Sequence, residues 1–105
     1  MTPGPPLVYF HRLALDELIA ARRWYSNKSG GTARRFVDAV NTAVGRIQAF
    51  PNAGVLIHPP YRWVRLRRFP YVLYYGPVGT NITEVFAVAH AGRRPGYWLR
   101  RARRP

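Results

Sequence analysis

Apolar residues recur along this chain with two different periods. Between residues 13 and 27, Ala14, Leu18, Ala21 and Tyr25 return every three or four positions, the spacing that lines one face of a helix. Asp16 and Glu17 fall near the start of that stretch, so the reading puts them in a first turn, where the helix dipole favours acids. Ser29-Gly30-Gly31 interrupts the pattern, which resumes in Ala33, Phe36, Val37, Val40, Val44 and Ile47 and stops at Pro51. Thr32 is placed to cap this second helix. The two stretches predict a helical hairpin.

Elsewhere the period is two. Residues 7–11, LVYFH, read as a short strand behind a Pro/Gly-rich lead. Residues 52–61, NAGVLIHPPY, read as loop, because Gly54 and Pro59-Pro60 oppose regular structure. Three strands are then predicted over residues 62–69, 71–78 and 82–90, the last two joined at Gly79-Thr80-Asn81. Short connections make an antiparallel meander the simplest arrangement. In the first of these strands Val64 and Leu66 alternate with Trp63, Arg65 and Arg67, so one face is core. The other two are apolar on both faces: Val72 and Tyr74 against Tyr71, Leu73 and Tyr75, then Phe86 and Val88 against Val85, Ala87 and Ala89.

A two-helix hairpin covers only one face of such a sheet. The other face is either an arginine-rimmed interaction surface or is covered by residues 93–99, RRPGYWL. Tyr97 and Trp98 are costly to leave in water, which favours a tail that docks on something. The expected class is α+β in one domain spanning residues 1–105: an N-terminal strand, a helical hairpin, then a three-stranded antiparallel meander with the helices on one face. Residues 1–6 and 101–105 are expected to be flexible.

Charge changes the picture more than length does. Lys and Arg total 17 against 4 Asp and Glu, a net charge of +13, so the protein calls for a polyanionic partner. Lys28 is the only lysine, a bias that can follow base composition and carries little weight. The absence of cysteine excludes disulfides, thiolate nucleophiles and Cys-based zinc sites. Metal binding is not expected, since neither the histidines nor the acids have ligand spacing, and no cofactor is expected. The opening MTPGPPLVYF lacks the basic and long apolar regions of a secretory signal, and no apolar run reaches the roughly 18 residues of a membrane span. A cytoplasmic protein without a membrane partner is therefore expected.

Cleavage of RNA by its own 2′-hydroxyl needs proton transfer and stabilisation of a charged phosphorane. Arg65, Arg67, Arg93 and Arg94 could hold phosphate, His90 could exchange a proton, and Tyr97 could act as a weak acid or stacking platform. Against this, a histidine at a strand end more often caps or packs, and arginine is a poor base. His11 and His58 have no partner assignable from spacing.

Four stretches in order, RRWYSNKSGG, IQAFP, RLRRFPYVLYY and VAHAGRRPGYWLR, resemble the RelE/ParE toxins of type II toxin–antitoxin systems, in particular the plasmid-stabilisation, ParE-like branch. The resemblance runs over residues 8–100. It implies a growth-inhibiting toxin in a hetero-oligomer with a cognate antitoxin whose acidic, extended tail wraps it, and a target that is either DNA gyrase, with no catalytic site in the toxin, or mRNA on the ribosome. Ribosome-dependent relatives carry an arginine in a Gly-Tyr-Arg setting where this chain reads Pro70-Tyr71-Val72. That departure tilts the reading toward gyrase; Arg68 on the adjoining strand end is a candidate stand-in. Target or partner contacts are expected at Trp63, Arg65, Arg67, Arg68, Arg93, Arg94, Tyr97, Trp98 and Arg100. A non-catalytic basic nucleic-acid-binding module is the third reading; no recognition helix or paired aromatic motif supports it.

Overall fold

A computed structural model describes residues 4–102. The order is β1 (Leu7–Phe10), α1 (Arg12–Ser26), α2 (Gly30–Ala49), β2 (Val55–Leu56), β3 (Arg62–Arg65), β4 (Tyr71–Gly79), β5 (Ile82–His90) and α3 (Leu99–Ala102). The predicted hairpin is present, with its caps moved. His11 caps α1, its Nδ1 accepting from the Leu13 amide at 3.0 Å, so the helix starts early enough that Asp16 and Glu17 lie beyond its first turn. Ser29, not Thr32, caps α2 by accepting the Thr32 amide at 3.0 Å. Its extended backbone lets Gly30 and Gly31 open the helix instead of breaking the chain for longer.

The sheet has five strands in the order β1-β5-β4-β3-β2. The expected β3–β4–β5 meander forms its centre, and β1 adds in parallel to β5, which the α1–α2 crossover permits. Two expectations fail around it. The stretch read as loop contributes β2, two residues paired antiparallel with β3. β3 ends at Arg65, because the chain turns through residues 66–70 with Arg68 at φ 65°, a left-handed value outside any ladder. The β4–β5 turn is Thr80–Asn81, with Asn81 at φ 56° and its side chain donating to the carbonyls of Gly4 and Pro5. That contact holds residues 4 and 5, within the segment expected to be flexible; residues 1–3 lie outside the described residues.

A bulge in β5 corrects the predicted alternation. Tyr74 pairs with Ala87 and Tyr75 with Val85, leaving Phe86 as an extra residue. The extra residue resets the period: Val85 and Val88 join the helix-side core, while Phe86, Ala87 and Ala89 face the other way. The helix-side core gathers Ala14, Ala21, Tyr25, Phe36, Val40 and Ile47 of the hairpin against Leu66, Leu73 and Tyr75.

The second face of the sheet is covered. Trp98 is 0% exposed and lies stacked on Tyr74 at 4.9 Å between ring centroids and on Phe86 at 6.0 Å, with Tyr61 edge-on at 5.5 Å. Trp63, Val72, Tyr97, Leu99 and Ala102 complete this second cluster. Of the two readings left open by the sequence, the tail folded back over the sheet is the one the structure adopts.

Candidate functional site

The tail is fastened by one carboxylate. β1 pairs with β5 only as far as Val85, so the rest of β5, from Phe86 to His90, has no strand neighbour on that edge. Backbone groups on such an edge need other partners. Glu17, on the sheet-facing side of α1, accepts the Val88 amide at 3.0 Å through Oε1, and Arg101 donates to the Phe86 carbonyl at 3.0 Å. Arg101 also grips Glu17 in a two-pronged ion pair at 2.9 and 3.1 Å. The Tyr97 hydroxyl donates to Glu17 Oε2 at 2.8 Å, and the Arg93 guanidinium stands 3.9 Å from the same oxygen. α1, β5 and α3 thus meet on a single side chain.

This geometry sets the chemistry of Tyr97. Burial, then the hydrogen bond and charge of Glu17, push its phenol well above the ordinary tyrosine value of about 10, and Arg101 and Arg93 only partly offset them. The ring is in addition occupied: the Arg93 guanidinium sits 4.0 Å and that of Arg101 5.1 Å from its centroid. Tyr97 is therefore a fixed donor to Glu17 with its ring already covered by two guanidinium groups.

Beside the clamp lies an open cleft of about 490 Å³ between α1 and the end of β5, lined among others by Glu17, Trp24, Tyr71, Val88, His90 and Arg93. Trp24 is 55% exposed there. The Tyr71 and His90 rings meet edge to face at 5.3 Å, and His90 Nδ1 accepts the Gly92 amide at 3.1 Å. That bond places the proton of neutral His90 on Nε2.

The residues singled out from the sequence do not form one site. His90 and Arg93 share the cleft, with Tyr97 behind them. Arg94 and Arg100 are exposed nearby in the chain. Trp63 packs into the second cluster, and Trp98 is wholly buried in it, so the expectation of Trp98 as a contact residue is corrected: it is core. Arg67 and Arg68 are exposed in the β3–β4 turn and line a different concavity, against α2. Arg65 pairs with Val72, and Val72 with Ala89, both members of the second cluster, whereas His90 pairs with Tyr71, which packs on the helix side. Directly opposed residues share a face, so Arg65 and His90 lie on opposite faces of the sheet.

Glu17, Arg101 and Trp24 were not singled out. The available signal was Glu17 itself, one of only four acids in the chain, spaced three and four residues from Ala14 and Ala21 on the buried stripe of α1.

The family model for the ParE toxin of the type II toxin–antitoxin system parDE matches residues 8–95. The chain belongs to the ParE toxin family. In keeping with this, the ParE-like fold is shared with a solved chain from the chromosomal ParDE toxin–antitoxin system of P. aeruginosa, at a TM-score of 0.68 and 20% identity, covering 81% of this chain and 95% of that one. No curated protein matches this ParE-family chain. Among its described residues no helix is long and apolar enough to cross a membrane.

Proposed function

We propose that this ParE-family toxin arrests bacterial growth by acting on DNA gyrase as a binding inhibitor, in the cytoplasm, and that a cognate antitoxin with an acidic tail neutralises it in a hetero-oligomer. What supports the gyrase reading over mRNA cleavage is the dispersal of the candidate groups: Arg65 lies across the sheet from His90, and Arg93, the candidate that does share the His90 cleft, stands 3.9 Å from the Glu17 carboxylate. A phosphoryl-transfer site needs its phosphate-holding cation and its proton-moving group within hydrogen-bond reach of one substrate. Here the only other candidate acid, Tyr97, is committed to Glu17. The net charge of +13 supports an acidic partner, since complementary charge steers association and an extended acidic segment can order itself on a basic surface.

The test is a supercoiling assay with purified gyrase beside a primer-extension assay of mRNA on ribosomes. Inhibited supercoiling or trapped cleaved DNA, with intact mRNA, is expected. Cleaved mRNA with unaffected gyrase would reverse the assignment. In that event His90→Ala would slow cleavage by roughly a hundredfold, the scale of a lost acid–base group.

A further inference from the structure

Six arginines gather toward the loop end of the helical hairpin, and their arrangement there is bilateral. On one side of α2, Arg22, Arg23 and Arg34 line a concavity of about 370 Å³ between the two helices. On the other side, Arg35, Arg67 and Arg68 line one of about 420 Å³ between α2 and the β3–β4 turn. All six are exposed, and among the described residues none is in a salt bridge, both of those being made by Glu17. Asp38 is the single acid lining either concavity. Arg68 is held there at φ 65°, a conformation a glycine would adopt without strain.

We propose that this end of the molecule is a docking surface for duplex nucleic acid, each arginine trio meeting one of the two phosphate backbones. Arginine forks match phosphate oxygens two at a time. The trios flank a helix roughly 10–12 Å across, and the backbones bordering the major groove of a DNA duplex are separated by about 12 Å. The first turn of α2, seated between them, presents Gly30 and Gly31, which have no side chain, and Thr32, whose hydroxyl is engaged with Ser29 and Arg35, so sequence-independent binding is expected.

Two features choose the occupant. An acidic peptide that folds on binding needs apolar anchors, yet none of the exposed large apolar side chains, such as Leu15, Ile19, Trp24 or Phe50, lines either concavity. A single strand needs exposed aromatic rings for its bases to stack on, and the only aromatic lining either side, Phe69, is packed in the core between Tyr25 and Phe36. What remains is positive charge on both sides of one helix, with neither apolar anchors nor free rings beside it.

The experiment is fluorescence anisotropy of the full chain with a labelled DNA duplex of arbitrary sequence at several salt concentrations, without gyrase, so that its outcome is separable from the target assay. Six phosphate contacts predict a log K against log salt slope of about −5. Arg22→Gln/Arg23→Gln/Arg34→Gln and Arg35→Gln/Arg67→Gln/Arg68→Gln should each cut it to about half. The charge-matched triple Arg12→Gln/Arg46→Gln/Arg62→Gln, none of which lines either concavity, should leave it nearly unchanged. If a triple variant fails to fold, Arg34→Gln and Arg67→Gln singly should each lower the slope by about 1. Equal losses in the charge-matched triple would overturn the site, leaving only diffuse charge. Tighter binding of a single strand of equal length, or displacement of the duplex by a lower concentration of polyglutamate of equal charge, would overturn the duplex.

Discussion

Removing the Glu17 carboxylate tests whether one side chain holds the C-terminal tail in place. In Glu17→Ala, the Val88 amide, the Tyr97 hydroxyl and both prongs of Arg101 lose their acceptor together. Glu17 and Arg101 side chains are 17% and 13% exposed, so water reaches them only in part. Breaking a buried ion pair by deleting one partner costs about 3–5 kcal/mol, and partial exposure puts this site at the lower end, about 3 kcal/mol. In a domain of this size each kcal/mol lowers Tm by roughly 4–6 °C, so a drop of about 12–18 °C is expected by calorimetry or circular dichroism. Glu17→Gln keeps an acceptor oxygen and loses only the charge and one prong, for about half that cost. A double-mutant cycle with Arg101→Gln should give a coupling of at least about 1 kcal/mol. If Glu17→Ala loses less than about 0.5 kcal/mol, or the cycle shows no coupling, the clamp is not what secures the tail and the stack around Trp98 holds it alone.

Truncation after Gly92, or Trp98→Ala, should unfold the protein or cost about 3–5 kcal/mol, since Trp98 is core; a truncated chain with unchanged Tm would place the tail outside the fold. Alkali should destabilise the protein through Tyr97. Its pKa is raised in the folded state, so its contribution is fully present below the unfolded value of about 10 and is lost as pH rises above it toward the folded value. Tyr97→Phe should flatten that alkaline limb in a pH series of urea midpoints, and an identical slope in both proteins would contradict the placement of its hydroxyl on Glu17.

The sequence by itself determined the class and the main elements, though not β2 or α3, because helix and strand patterning is local: the stripe from Ala33 to Ile47 marks one face of a helix, and residues 71–78 and 82–90 read as strands. It also determined the net charge of +13. Boundaries moved by a few residues where caps compete, as Ser29 outbid Thr32 by offering its hydroxyl to the amide of the residue three along. The Phe86 bulge was not legible, since an inserted residue shifts the period without changing composition. Only the tertiary structure decided that Arg65 and His90 fall on opposite faces, because strand register and that bulge are set by pairing between strands. The tail expected to be free from residue 101 is tied at Arg101, while residues 103–105 lie outside the described residues. Glu17 and Arg101 stand 84 positions apart; each is an ordinary charged residue in its own stretch. They become a clamp only when β1 ends at Phe10 and leaves the edge of β5 in need of a donor and an acceptor.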